Sequence, residues 1–267
     1  VNSILITISI VKYIIFNYFS DANIIYYFLV YFFTYLVRNY LMLVILSISI
    51  RHKKFIHQEN NSNNSNYQLS SHLYMISSTL IDSIFNLLIN IYLIDDLSYS
   101  IDSVIYGILY FIPKSFIFEI VLDFFHYWSH RICHIYKYLY RTIHKTHHTH
   151  HEPVMINTYY FSQMDSIMTV SIPTVLAIYL TPYNFSLFEY VMLSVYKQYT
   201  ELAGHSGKKL SPSSSFPQCV WLPKILNIEL YSEDHNMHHN LNNCNYSKRF
   251  SLWDKIFGTY KKYIATN

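Results

Sequence analysis

The stretch DFFHYWSHRICHIYKYLYRTIHKTHHTHHE, residues 123–152, decides how this chain is read, and it holds eight of the fifteen histidines. On a helix His126, His130 and His134 recur every four residues, so their side chains stack along one face. His144, His147 and His148 stand at i, i+3 and i+4, which places two rings on one face with a third beside them. The same spacing returns at His235, His238 and His239. A pocket of bare imidazoles has no partners for its lone pairs, and charging it sets like charges side by side. A metal ion removes both problems, because neutral imidazole is a favoured ligand for iron, zinc and copper.

Around this stretch the composition is that of a membrane protein. Apolar residues make up 52% and charged residues 13% of the 267, against roughly 25% charged in a soluble domain. Twenty-eight tyrosines and eighteen phenylalanines add bulk of the kind found at bilayer interfaces. No nucleic-acid partner is expected. Residues 2–19 are mostly apolar but carry Lys12. Residues 24–50 form a stronger span, interrupted by Arg38 and Asn39, and end at the basic run Arg51–Lys54, which marks a cytoplasmic side. A buried arginine there needs a partner or a route to water.

Residues 72–94 and 101–122 are each long enough to cross, and Asp82, Lys114 and Glu119 in them are expected to face the bundle interior. A later apolar pair, about 166–180 and 185–197, has arms near or below the ~17-residue minimum for a span. The expected division is an N-terminal transmembrane region at 1–122 and a histidine-box catalytic domain at 123–267 that includes a membrane hairpin at about 166–197. Counting crossings from Arg51–Lys54 puts all the boxes in one compartment, the cytosol. Cys133, Cys219 and Cys244 form no CxxC motif and fit reduced thiols there.

With His205, the boxes offer nine candidate ligands: His126, His130, His144, His147, His148, His205, His235, His238 and His239. Nine suits two metals. All except His205 are also the candidate catalytic residues. His134, a further turn along, is left as an outer-shell group; His150 and His151 are expected at solvent or headgroups, and His52, His57 and His72 to be incidental. Asp123, Glu152 and Asp234 sit beside ligands, where a carboxylate can accept the second ring N–H.

The chain resembles the fatty acid hydroxylase/sterol desaturase superfamily. The matching text is HYWSHRICH (126–134), IYKYLYRTIHKTHH (135–148), GHSG (204–207), HNMHH (235–239), NYS (245–247) and WDKIFGTY (253–260). The pairing of IYKYxxRxIHKxHH with HSG is closest to the C-4 methylsterol oxidase and sterol desaturase branch. The resemblance implies an all-α fold: an integral membrane helical stem of about four to six apolar segments under a cytosolic helical cap holding a di-metal site. It implies two iron ions, with zinc able to replace them on isolation, O2 as oxidant, and electrons from NAD(P)H through cytochrome b5 or a similar carrier. The substrate class implied is a lipid, sterol or fatty acyl, hydroxylated, oxidised or desaturated at an unactivated C–H, in the endoplasmic reticulum. No HPGG-like haem-binding stretch occurs, so cytochrome b5 and its reductase are expected to be separate proteins. Some members carry a further histidine four residues before the one matching His205; this chain has Glu201, a carboxylate able to ligate iron. The rival readings are a His-rich membrane metal transporter and a catalytically inactive family member.

Overall fold

The computed structural model describes residues 1–56, 65–94, 100–150, 154–210 and 219–263. His57, His151 and Glu152 lie outside them. Within them the fold is all-α, and the only extended pairing is a single bridge between Phe55 and Lys208. Helix α1 is Asn2–Tyr18, α2 Ile24–Ser49, α3 Ser65–Leu93 and α4 Ile101–Ile135. After irregular turns come α5, Gln163–Leu180, and α6, Leu187–Gly204. Short helices α7 (Trp221–Ile225), α8 (Ser232–Leu241) and α9 (Leu252–Ile256) complete the chain.

Helices α2, α3, α4 and α5 are long and apolar enough to cross a membrane. α4 runs unbroken through residue 122 for 35 residues, or about 52 Å at 1.5 Å per residue. The hydrocarbon core is about 30 Å thick, so the helix that anchors the stem also carries His126, His130 and His134 beyond it. With Glu189, Lys197 and Glu201 along it, α6 is not one of the four. It is instead the buried centre of the bundle, with Leu187, Phe188, Val191, Val195 and Leu202 shielded from solvent and α1, α2 and α4 packed around it. Its start is fixed by a capping box, in which Ser186 Oγ accepts from Glu189 N at 3.2 Å and Glu189 accepts from Ser186 N at 2.9 Å.

Polar side chains within the stem pair across helices, since lipid offers them no partner. Tyr35 Oη donates to Asn86 at 2.8 Å, Asn39 Nδ2 to Thr79 at 2.9 Å, and Asn90 Nδ2 to Tyr27 Oη at 2.8 Å, so α2 and α3 are laced together. Arg38 is buried; it donates to Ser194 Oγ and Asn39 Oδ1, both at 2.8 Å, and lies over the Tyr35 ring. Of the charged residues expected inside, Lys114 pairs with Glu189 at 2.7 Å and buried Glu119 pairs with Arg249 at 2.6 Å. α4 and α6 approach closely at Gly107, where a Cβ would lie 2.6 Å from Cδ1 of buried Phe188. Gly107→Val should therefore lower the thermal stability of detergent-purified protein by about 1–3 kcal/mol, the usual cost of overpacking. Adding Phe188→Ala should recover part of that loss. A wild-type melting temperature for Gly107→Val alone would contradict the contact.

Candidate metal centre

The histidines converge from four places in the sequence. His126, His130 and His134 project from α4; His144 ends a π-helical turn, Tyr140–His144; and His147 and His148 lie in the 3-10 turn His147–Thr149. His205 follows the last residue of α6, and α8 carries His235, His238 and His239. They form two buried groups. One contains His130, His134, His144, His148 and His238, the other His147, His205, His235 and His239, and within each group the ligand atoms lie within 4.8 Å of one another. The sorting repeats in both HX2HH boxes: the i, i+4 pair (144/148 and 235/239) serves one group and the intervening residue (147 and 238) the other, and in α8 helical phase puts His235 and His239 on one face.

Outer ring nitrogens are held by acceptors. His130 Nδ1 lies 2.8 Å from Tyr246 O, His238 Nδ1 2.7 Å from Cys244 O, and His205 Nδ1 2.9 Å from Glu201 O. His126 Nδ1 is 2.7 Å from Thr169 O, and His144 Nδ1 is 2.8 Å from Asp165 Oδ2. Carbonyl and carboxylate oxygens only accept, so these five Nδ1 atoms carry the proton and each Nε2 presents a lone pair. Those lone pairs point into the groups: Nε2 of His238 and of His144 lie 3.2 and 3.0 Å from His148 Nε2, and Nε2 of His205 lies 3.0 Å from His235 Nε2. Nε2 of His126 and of His130 is buried without a hydrogen-bond partner. With Nδ1 fixed outward on His130, His144 and His238 in the first group and on His205 in the second, and ligand atoms converging in both, the residues fit a metal cation in each group.

Eight of the nine sequence candidates fall in the two groups, and His134 joins them. His126 stands outside both but lines the same cavity as His130, His144, His147 and His235. Its ring is 5.1 Å from that of His130. Glu201 is also outside. Its carboxylate accepts from Arg249 Nη2 at 2.6 Å and pairs with Lys248, and burial, which opposes its charge, is outweighed by these cations, so its carboxyl is held well below the ordinary range. Asp123 and Asp234 do not face imidazoles. Asp123 takes backbone N–H groups of Lys248, Arg249 and Phe250, and Asp234 those of Tyr231 and Tyr263. The carboxylate that does hold a ring, Asp165, was not a candidate; it sits at the start of α5 with its N–H on the Ser162 cap. Nothing in a lone Asp 21 residues after His144 signals this pairing. His52 and His72 lie outside both groups, as does His150, which meets the Tyr160 ring edge-on.

This is an integral membrane, all-α protein with paired histidine groups consistent with a di-metal site. The profile of the family described as "Fatty acid hydroxylase" matches residues 115–259, more than half of the chain, which therefore belongs to that family within the fatty acid hydroxylase/sterol desaturase superfamily. Fatty acid hydroxylase vlmA of Lecanicillium sp is 33% identical over 160 residues, 57% of this chain and 42% of the relative. Methylsterol monooxygenase erg25A of Aspergillus fumigatus is 32% identical over 148 residues, covering 54% and 45%. Methylsterol monooxygenase 2-1 of Arabidopsis thaliana is 35% identical over 153 residues, covering 54% of each chain. The matched region spans about half the length of these curated relatives. No solved structure matches the chain.

Burial, reinforced by neighbouring cations, holds the rings neutral and ready to coordinate. His205 is lowered from 6.5 to about 4, first by desolvation and then by Lys248, and His238 to about 3 by desolvation. His147, His148, His235 and His239 are also pushed well down. The sign follows from proton counting. Below about pH 6.5 the unfolded chain protonates these imidazoles while the folded one does not, so the unfolded state binds more protons and stability falls with pH. Metal-free protein should lose melting temperature steadily from pH 6.5 to 4, and a flat profile over that window would contradict the buried, neutral state of the rings.

Proposed function

We propose that the protein is an O2-dependent di-iron oxidoreductase that hydroxylates, oxidises or desaturates an unactivated C–H position of a lipid, sterol or fatty acyl. The observation that carries this reading is the pair of imidazole groups whose ligand atoms converge, with Nδ1 of His130, His144, His238 and His205 fixed outward, set beside a membrane stem. His130, His134, His144, His148 and His238 would hold one iron and His147, His205, His235 and His239 the other, with His126 a further candidate beside the first. When bound, the iron pair supplies the activation of O2. In hydroxylation one oxygen atom enters the C–H bond and the other leaves as water, with two electrons and two protons supplied from outside the site.

The chain's own residues do the positioning. Asp165 and the carbonyls of Thr169, Glu201, Cys244 and Tyr246 keep the tautomers that aim Nε2 inward. Seven of the nine rings, all but His134 and His147, are buried, which limits access of bulk water. Small cavities beside the histidines share Thr169 and Lys248, then Val170 and Lys197, with cavities that reach Arg38 and Asp82 among the stem helices. Two relatives are named methylsterol monooxygenases and one a fatty acid hydroxylase, so both substrate classes stay within the proposal. The same reading assigns residues 1–122 to the stem and 123–267 to the catalytic part. It places the protein in the endoplasmic reticulum with the histidines facing the cytosol, where NAD(P)H electrons arrive through cytochrome b5 or a similar carrier.

His147→Ala and His239→Ala should each lower bound iron and abolish lipid-dependent O2 consumption in reconstituted membranes, while exposed His52→Ala does neither. Protein isolated with zinc should regain turnover on exchange to ferrous iron. Full iron and turnover in both histidine variants would refute the shared site. For orientation, a glycosylation tag fused after Asn267 should stay unmodified; its modification would put the histidines in the lumen and remove the cytochrome b5 donor.

A further inference from the structure

The motifs NYS (245–247) and WDKIFGTY (253–260) carry no metal ligand, yet one buried carboxylate in them reaches the first metal group through the backbone. Asp254 is fully buried at the start of α9. Its Oδ1 accepts from Tyr246 N at 2.9 Å and its Oδ2 from Ser247 N at 2.8 Å, and Thr259 Oγ1 donates to Oδ1 at 2.7 Å. The peptide held this way presents Tyr246 O to His130 Nδ1 at 2.8 Å, and two residues earlier Cys244 O meets His238 Nδ1 at 2.7 Å. Between them Asn245 takes φ 54°, and its Nδ2 donates to Asp234 O and Lys261 O at 2.9 and 2.8 Å. Downstream, Asp123 on α4 accepts from three successive N–H groups, those of Lys248, Arg249 and Phe250, at 2.7–3.0 Å. The segment 244–250 is thus clamped at its middle by Asp254 and at its end by Asp123, and its carbonyls serve His130 and His238, both in the five-histidine group. The four-histidine group draws nothing from it by this route; His205 takes its acceptor from Glu201 O on its own helix.

We infer that Asp254 is a positioning residue for one metal of the two, acting through the Tyr246 carbonyl on His130 and through the adjoining turn on His238. The inference rests on the di-metal reading above. Without the carboxylate, two buried N–H groups lose their acceptor, the 244–247 turn relaxes, and the two rings lose the acceptors that fix tautomer and direction. Loss of such a partner typically weakens metal affinity by 10–100-fold. The second group keeps the Glu201 carbonyl on His205.

Cobalt(II) titration of the full-length, metal-stripped protein in detergent tests this, with the visible d–d absorption and bound metal per chain as readouts. Wild type should take up two equivalents. Asp254→Ala should retain one at wild-type affinity and bind the second about 10–100-fold more weakly. Asp254→Asn, whose amide oxygen can still accept from a backbone N–H, should fall between the two. A merely structural role would weaken both equivalents together with the melting temperature, and that result in Asp254→Asn would overturn the inference. Two equivalents at wild-type affinity in Asp254→Ala would overturn it as well. Failure of wild type itself to bind cobalt would strike the di-metal reading instead, and is read separately from the variants.

Discussion

Everything in the cap depends on a demand of imidazole: a buried ring with two nitrogens must satisfy both. Here five rings spend Nδ1 on backbone carbonyls or on Asp165 and turn Nε2 inward. Meeting that demand needs acceptors from α5, from the end of α6 and from the 244–247 turn, so those pieces must arrive together. The irregular backbone of the cap is the means. A π-helical turn delivers His144, a 3-10 turn delivers His147 and His148, and Asn245 at positive φ turns the chain so that two nearby carbonyls reach different helices.

The stem solves a related problem with charges. Arg249 is fully buried and joins Glu119 on α4 to Glu201 on α6, while Lys248 meets Glu201 beside it. Removing one partner of such a set leaves an uncompensated buried charge, which costs far more than an exposed ion pair contributes. The network therefore fixes the relative placement of two helices, one ending in His130 and His134 and the other followed by His205. Glu201 serves the histidines through its backbone oxygen and the helices through its carboxylate.

The legible part of this architecture was carried by local spacing. Apolar runs at 24–50, 72–94 and 101–122 became α2, α3 and most of α4, and eight of nine candidate histidines fell into two groups. The rest depended on tertiary contact. His134 looked like an extra turn because spacing along α4 does not say which way the chain returns. Asp165 was invisible because its partner lies 21 residues upstream. Asp123 and Asp234, adjacent in sequence to ligands, point to backbone N–H groups, since helix geometry sends neighbouring side chains in different directions. The hairpin arm at 185–197 became a helix buried by protein, because its charges found partners in the bundle.

The interleaving of the two HX2HH boxes constrains how this protein can change over generations. Each box contributes to both groups, and each added residue turns a helix by about 100°. A one-residue insertion or deletion inside 235–239 would thus displace members of both histidine groups at once. Drift in length must be confined to the connections between boxes, while the boxes themselves can vary only at the residues between the histidines.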